Sequence, residues 1–278
     1  MSDTVLDVQN LRITFPSHRG PVDVVRGVSF SLGRERLGIV GESGSGKSLT
    51  GRAIMGLVPR PGQVRADRIA FMGQDFSTMR GRDLRKIRGK RISMVLQDPK
   101  FSLNPVMKIG HQIEESYRLH VGGDRRQAER ETLAALEAVK IRNPETVYHL
   151  YPHQLSGGMG QRVMIAMMLI PKPDLLIADE PTSALDVTVQ LQVLAILEDL
   201  VRERGMSLIF ISHDLQLVAA FCDRVLIMYA GKVVESCRAS ELDKVQHPYA
   251  RGLLASVPRL GDDRPELPTL QRDASWAQ

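Results

Sequence analysis

The chain has 278 residues, 43% of them apolar and 25% charged, which is ordinary for a folded protein and enough for a large core. Lysine and arginine outnumber aspartate and glutamate by 37 to 32, a formal net charge of +5; that mild excess suits an anionic partner without selecting among nucleotide, RNA and an acidic membrane surface. Cys222 and Cys237 stand apart with no C-x-x-C spacing, so free thiols of a cytoplasmic protein are expected and a disulfide or a cysteine metal site is not.

The N-terminus, MSDTVLDVQN, has no basic-then-apolar run, so no secretory signal is expected there. From Val5 to Val40 the sequence reads as short strands, with apolar and polar residues alternating through Val25, Val28, Phe30 and Leu32. The run RLGIVG is a buried strand ending at Gly41 in a Gly-rich turn, and a helix should run from Lys47 through Ile54 until Gly56 and Pro59 end it. Residues 69–71 and 92–96 read as further strands. Between them lies a basic stretch, Arg80, Arg82, Arg85, Lys86, Arg88, Lys90 and Arg91; no aromatic residues interleave it, so a solvated helix face accounts for it better than a nucleic-acid patch.

From Ile109 to about Ile170 helical periodicity replaces strand character, clearest in DRRQAERETLAALEAVK. The longest apolar stretch, 163–170, falls far short of the roughly 20 residues that span a bilayer, so membrane contact is expected through other proteins. DLLIAD, a long helix after Asp186, SLIFIS, a helix over 215–221, RVLIMYA and KVVESC then alternate as strand and helix. Such alternation implies a mainly parallel sheet with crossover helices. The Pro- and Asp-rich end reads as a mobile tail.

Three motifs carry chemistry. Gly41-Glu42-Ser43-Gly44-Ser45-Gly46-Lys47-Ser48 fits G-x-x-x-x-G-K-[ST] between a predicted strand and a predicted helix. Glycines let successive N–H groups converge on one phosphate chain, and the helix N-terminus adds partial positive charge. Lys47 is expected at the β- and γ-phosphates of ATP and the Ser48 hydroxyl at Mg²⁺. Leu175 to Glu180 is an apolar strand delivering two carboxylates, Asp179 toward the metal and Glu180 toward an attacking water. Leu155-Ser156-Gly157-Gly158-Met159-Gly160-Gln161-Arg162 supplies a second anion cradle at a helix start.

This last run resembles the LSGGQ signature of ABC ATPases, with Met159 where Gln is usual. Gln97 after ISMVL resembles the Q-loop, Ser183-Ala184-Leu185-Asp186 the D-loop, and Ile211-Ser212-His213-Asp214 the switch histidine. The resemblance implies a P-loop NTPase, a RecA-like α/β core with an antiparallel β subdomain and an inserted helical subdomain carrying the signature. It implies one ATP-binding domain over 5–256, the helical part at about 98–169, and a tail over 257–278. ATP would be clamped between Gly41 to Ser48 of one subunit and Leu155, Ser156, Gly157 and Gly158 of another, with Asp186 close by and Phe15 against adenine. Glu180, Gln97 and His213 would be catalytic, and Ser48, Gln97 and Asp179 would hold Mg²⁺.

QDPKFSLNPVMKIGHQI after Gln97 and His247 to Leu254 (HPYARGLL) resemble the ATP-binding subunits of oligopeptide, dipeptide and nickel importers, although Gly160 stands where that group commonly has a bulkier basic residue. The implied partners are a second ATP-binding chain, two permease subunits and an extracytoplasmic solute-binding protein, at the cytoplasmic face of a bacterial inner membrane, with no nucleic acid. The rival reading is a soluble ABC ATPase acting on ribosomes or DNA; such chains usually join two cassettes, whereas this one has a single P-loop and a single signature. A P-loop GTPase would need an N-K-x-D motif, which does not occur.

Overall fold

The computed structural model describes residues 4–76, 79, 81–97, 102–183, 185–256, 273 and 276. Arg80 of the basic stretch, residues 98–101 after Gln97, Ala184, and all of the predicted tail except Asp273 and Trp276 lie outside the described residues. In chain order the elements are β1 (Leu6–Phe15), β2 (Val22–Leu32), β3 (Arg36–Val40), α1 (Lys47–Ile54), β4 (Gln63–Arg65), β5 (Arg68–Phe71), β6 (Gln74–Asp75), α2 (Gly81–Ile87), β7 (Ile92–Val95), α3 (Ile109–His120), α4 (Arg125–Ala138) and α5 (Pro144–Tyr148). There follow α6 (Gly157–Leu169), β8 (Leu175–Asp179), α7 (Val187–Arg204), β9 (Ser207–Ser212), α8 (Leu215–Phe221), β10 (Arg224–Tyr229), β11 (Lys232–Arg238) and α9 (Pro248–Ala255). Contacts divide the chain into two compact units, Met1–Thr78 with Ile209–Gln278, and Met79–Leu208.

In the first unit, β1 and β2 form an antiparallel pair, Leu6 opposite Leu32 and Val8 opposite Phe30. The alternation read from sequence decides which face is inward: Leu6, Val8, Leu11 and Ile13 of β1 and Val25, Val28, Phe30 and Leu32 of β2 are all buried. The strands are longer than expected, 10 and 11 residues. Asn10, at φ 48, is absorbed as an irregularity in the ladder, its N–H donating to Ser29 Oγ at 2.8 Å, instead of ending the strand. Asparagine tolerates this left-handed conformation better than most residues. β4 and β5 pair with β1, and β6 with β5.

The same unit holds a second sheet in the order β11-β10-β3-β9, with β10 parallel to β3 and antiparallel to β11. Two ion pairs fix the entrance of β3 against β10: Arg36 to Asp223 at 2.9 Å and Arg224 to Glu35 at 2.7 Å. The Arg36 guanidinium also lies over the Phe221 ring of α8, 5.4 Å from its centre.

In the second unit, β7 and β8 run parallel with Ile92 opposite Leu175 and Val95 opposite Ala178, every residue of both strands buried. Such continuous apolar strands belong to a parallel sheet covered on both faces. α3, α4, α5 and α6 pack together as the sequence periodicity predicts. Gln112, 6% exposed, knits the segment before α3: its amide accepts from Asn104 N–H and donates to the Asn104 and Met107 carbonyls. Inside the helical group the Tyr148 hydroxyl donates to the Glu114 carboxylate, and burial together with that bond pushes the phenol pKa up. Among the described residues no helix is long and apolar enough to cross a membrane.

Both cysteines are free, Cys222 buried at the end of α8 and Cys237 half-buried in β11. Burial pushes the Cys222 thiol up to about 12, and burial with Glu235 and Glu241 raises Cys237. Only the thiolate attacks a disulfide reagent. Labelling of the native chain with an aromatic disulfide is therefore expected to be slow at pH 7 and to quicken as pH rises, modifying Cys237 alone, whereas denatured chain releases two equivalents. Rapid modification of both thiols at pH 7 in native protein would contradict this packing.

Candidate functional site: a phosphate loop and a strand-end carboxylate pair

In the first unit, the phosphate loop lies between β3 and α1, and the predicted helix bounds are met at both ends. Gly46 is the N-cap of α1 at φ 96, a conformation in which any side chain would be strained. A glycine cap offers no side-chain oxygen to the first N–H groups, and the first turn carries no acidic residue, so the helix start is left to serve an anion. Lys47 is 4% exposed, and its ammonium donates to Gly41 O at 2.7 Å, Glu42 O at 2.8 Å and Ser45 Oγ at 3.4 Å. The loop is braced from outside by Ser45 O, which accepts from Gly231 N–H, and by Thr50, whose N–H and hydroxyl both reach Gly46 O.

A further brace comes from α9. Tyr249, fully buried, accepts through its hydroxyl from Glu42 N–H at 3.1 Å. Its ring lies 4.3 Å from that of Tyr229, and Trp276 packs 6.2 and 6.3 Å from the two. Sequence reasoning singled out His247 to Leu254 only through a resemblance. The available signal was the lone tyrosine of HPYARGLL, since a buried phenol needs a polar partner.

His213 follows β9 and is exposed, ahead of Asp214, whose carboxylate caps α8 by accepting from Leu217 N–H. The Phe15 ring at the end of β1 is half-buried and leans on Gly62, where even a methyl group would come within 2.6 Å of it.

In the second unit, β8 buries Asp179 to 2% exposure and places Glu180 next, half-buried. Glu180 sits at φ 47, which for a glutamate costs about 1–3 kcal/mol and persists only where surroundings impose it. Its carboxylate accepts from Gln97 Nε2 at 3.1 Å. The structure thus joins two of the three residues expected to be catalytic through one hydrogen bond, from the exits of adjacent parallel strands β7 and β8.

Ser156 is the N-cap of α6, its hydroxyl accepting from Met159 N–H at 3.3 Å, and Ser156, Gly157 and Leu155 are open or half-open to solvent. Gly158 faces α7, where an added Cβ would lie 2.5 Å from Val189 Cγ1, so only glycine lets the two helices approach this closely. Arg162, a turn further, donates to Gln192 of α7. Asp186 caps α7 by accepting from Val189 N–H at 3.0 Å. The signature and the D-loop acid therefore both bear on Val189.

Tyr249→Phe removes the acceptor for Glu42 N–H while keeping the ring. The expected result is a folded protein whose affinity for an ATP analogue falls about fivefold, near 1 kcal/mol, measured by titration. Unchanged affinity would show that the loop keeps its shape without the phenol.

Several known proteins resemble this chain. The family described as ABC transporter matches residues 25–183. The dipeptide transport ATP-binding protein DppD of Haemophilus influenzae is 45% identical over 269 residues, 96% of this chain and 82% of its own. The oligopeptide transport ATP-binding protein OppD of Salmonella typhimurium is 45% identical over 271 residues, covering 97% of this chain and 81% of its own. Among solved structures, the dimeric post-hydrolysis state of the ATP-binding cassette MJ0796 bound to ADP and Pi superposes with a TM-score of 0.76 at 25% identity, over 84% of this chain and 98% of that one. With a phosphate loop, a strand-end carboxylate pair and a signature helix start in the expected order, the chain belongs to the ABC transporter family, among its ATP-binding subunits.

Proposed function

We propose that residues 5–256 form one ATP-binding domain, with a helical part over about 98–169, that hydrolyses ATP in a head-to-tail pair and drives uptake of di- or oligopeptides through a membrane permease. The observation that carries the hydrolytic reading is Glu180, a carboxylate held at a left-handed φ at the end of a buried strand and fixed by Gln97. Proton abstraction from a water requires a base held in one position within hydrogen-bond reach of it. Gly41 to Ser48 form the cradle, in which Lys47 and N–H groups after Glu42 bind the phosphate chain; Phe15 takes the adenine, and His213 meets the γ-phosphate. Leu155, Ser156, Gly157 and Gly158 bind the phosphates of the partner's ATP, with Asp186 beside them.

Mg²⁺ fits the donors present. Among the described residues no three His, Cys, Asp or Glu side chains gather into a cage, and Mg²⁺ characteristically takes one or two carboxylates with the remainder from phosphate and water. Ser48, Asp179 and the side-chain carbonyl of Gln97 would hold it, and it would neutralise charge on the phosphates when bound.

Relatives of the peptide importers support peptide as the solute, and the dimeric cassette supports the pair. The proposed partners are a second ATP-binding chain, two permease subunits and a solute-binding protein, with this chain peripheral at the cytoplasmic face of the inner membrane.

Glu180→Gln preserves shape and can keep the bond to Gln97 through its amide oxygen. Hydrolysis is expected to fall by about 10²–10⁴ with Mg-ATP binding retained; near-normal turnover would remove Glu180 from this role. Ser156→Arg should cost about 1 kcal/mol through the lost cap, too little to unfold α6. Mixed with Lys47→Ala chains it is expected to restore partial ATPase activity, because one composite site then carries both lesions and the other neither. Recovery failing in verified mixed dimers would argue against shared sites or require both sites to fire; ATP-induced dimerisation of each single variant separates the two.

A further inference from the structure

The basic stretch that reads in sequence as a solvated helix face is not spread evenly over the surface of the second unit. Arg85, Lys86, Arg88 and Lys90, from α2 and the turn before β7, line one open cavity of about 690 Å³ together with Leu119 and His120 at the end of α3. That volume is in the range of small-molecule sites. Among the described residues no carboxylate lines it. A second cavity of the same unit, about 570 Å³, shows the contrast: there Arg130 and Arg142 are balanced by Glu137 and Glu145. Asp83 of α2 does approach Lys86 at 3.2 Å, but both side chains are more than half exposed and such a pair binds weakly.

The excess of positive charge is felt by His120. Burial, and then Lys90, hold its pKa below the ordinary value, and the imidazole lies against Gly89 as a wall of the cavity. The rim has a different character. Leu119 is 75% exposed and Val121, one residue past α3, 51%. Cations around a cavity of this size, with the exposed aliphatic side chain of Leu119 in its lining and that of Val121 two residues further along the chain, suit a ligand with a phosphate head and an apolar continuation. A soluble phosphate would use the cations and leave the aliphatic rim unexplained.

We propose that this cavity receives the phosphate headgroup of an acidic phospholipid, giving the Met79–Leu208 unit a direct hold on the membrane surface in addition to any permease contact. The site shares no residue with the phosphate loop, Gln97, Asp179, Glu180 or the signature.

The test uses the purified full chain and vesicles of phosphatidylcholine with or without phosphatidylglycerol, read by co-sedimentation. Binding is expected only with phosphatidylglycerol. Lys86→Ala with Lys90→Ala should weaken it about thirtyfold, whereas Arg130→Ala with Arg142→Ala, the same charge removed from the balanced cavity, should change it less than about twofold. Leu119→Ser should weaken it several-fold with no change of charge, a response that diffuse electrostatics does not produce. All variants should keep binding an ATP analogue, so this proposal can fail without the ATP reading failing. Equal losses in the two charge variants, indifference to Leu119→Ser, or uptake of free glycerol phosphate without vesicle binding would each overturn it.

Discussion

A lysine only 4% exposed, Lys47, is the constraint around which the nucleotide end of this chain is organised. A buried cation without oxygen partners costs several kcal/mol, and Lys47 meets that demand from its own loop, through Gly41 O and Glu42 O. Those carbonyls can turn inward only if the backbone between β3 and α1 is tightly coiled, which Gly46 at φ 96 permits. Turning the carbonyls in directs the neighbouring N–H groups the other way, that of Glu42 onto the Tyr249 hydroxyl. The same winding therefore houses the charge and lines up the donors an anion needs.

The strands that carry this loop and the carboxylates are themselves dictated by burial. β3 is buried apart from half-buried Arg36, and β7 and β8 along their whole length; the parallel pairing of β7 with β8 leaves the exits of those two strands at one end. Gln97 and Glu180 meet because Val95 and Ala178 are register partners, so the two chains leave the sheet side by side. The chemistry is thus placed by strand register, and the strained φ of Glu180 is maintained by a strand that cannot slide.

Much of this was legible in the sequence where a single strong period or motif governed a segment. α1, β8, α7, β9 and α8 fall where their apolar patterns and caps place them, Asp186, Asp214 and Ser156 each serving as an N-cap. The phosphate loop was legible because its chemistry needs its residues at fixed spacing. What escaped was decided by contacts distant in sequence. β4 and β6 have three and two residues and exist only because a neighbouring strand offers an edge. The bulged continuity of β1 rests on Ser29 receiving Asn10 N–H. The bond from Glu42 to Tyr249 spans 207 residues, and no local pattern announces it. Leu155 to Gly158 read as an anion cradle, yet the same residues also seat α6 on α7 through Gly158 and Val189.

The chain has one tryptophan, and its indole rests against Tyr229 and Tyr249, the second of which holds the phosphate loop. Indole emission shifts with the polarity and packing of its surroundings, and both phenols lie well within the distance over which tyrosine passes excitation to tryptophan. The molecule therefore contains its own optical probe, separated from Glu42 by one side chain, Tyr249. Changes in loop geometry that displace Tyr249 reach the indole through ring contacts alone, with no label attached and no second tryptophan to dilute the signal.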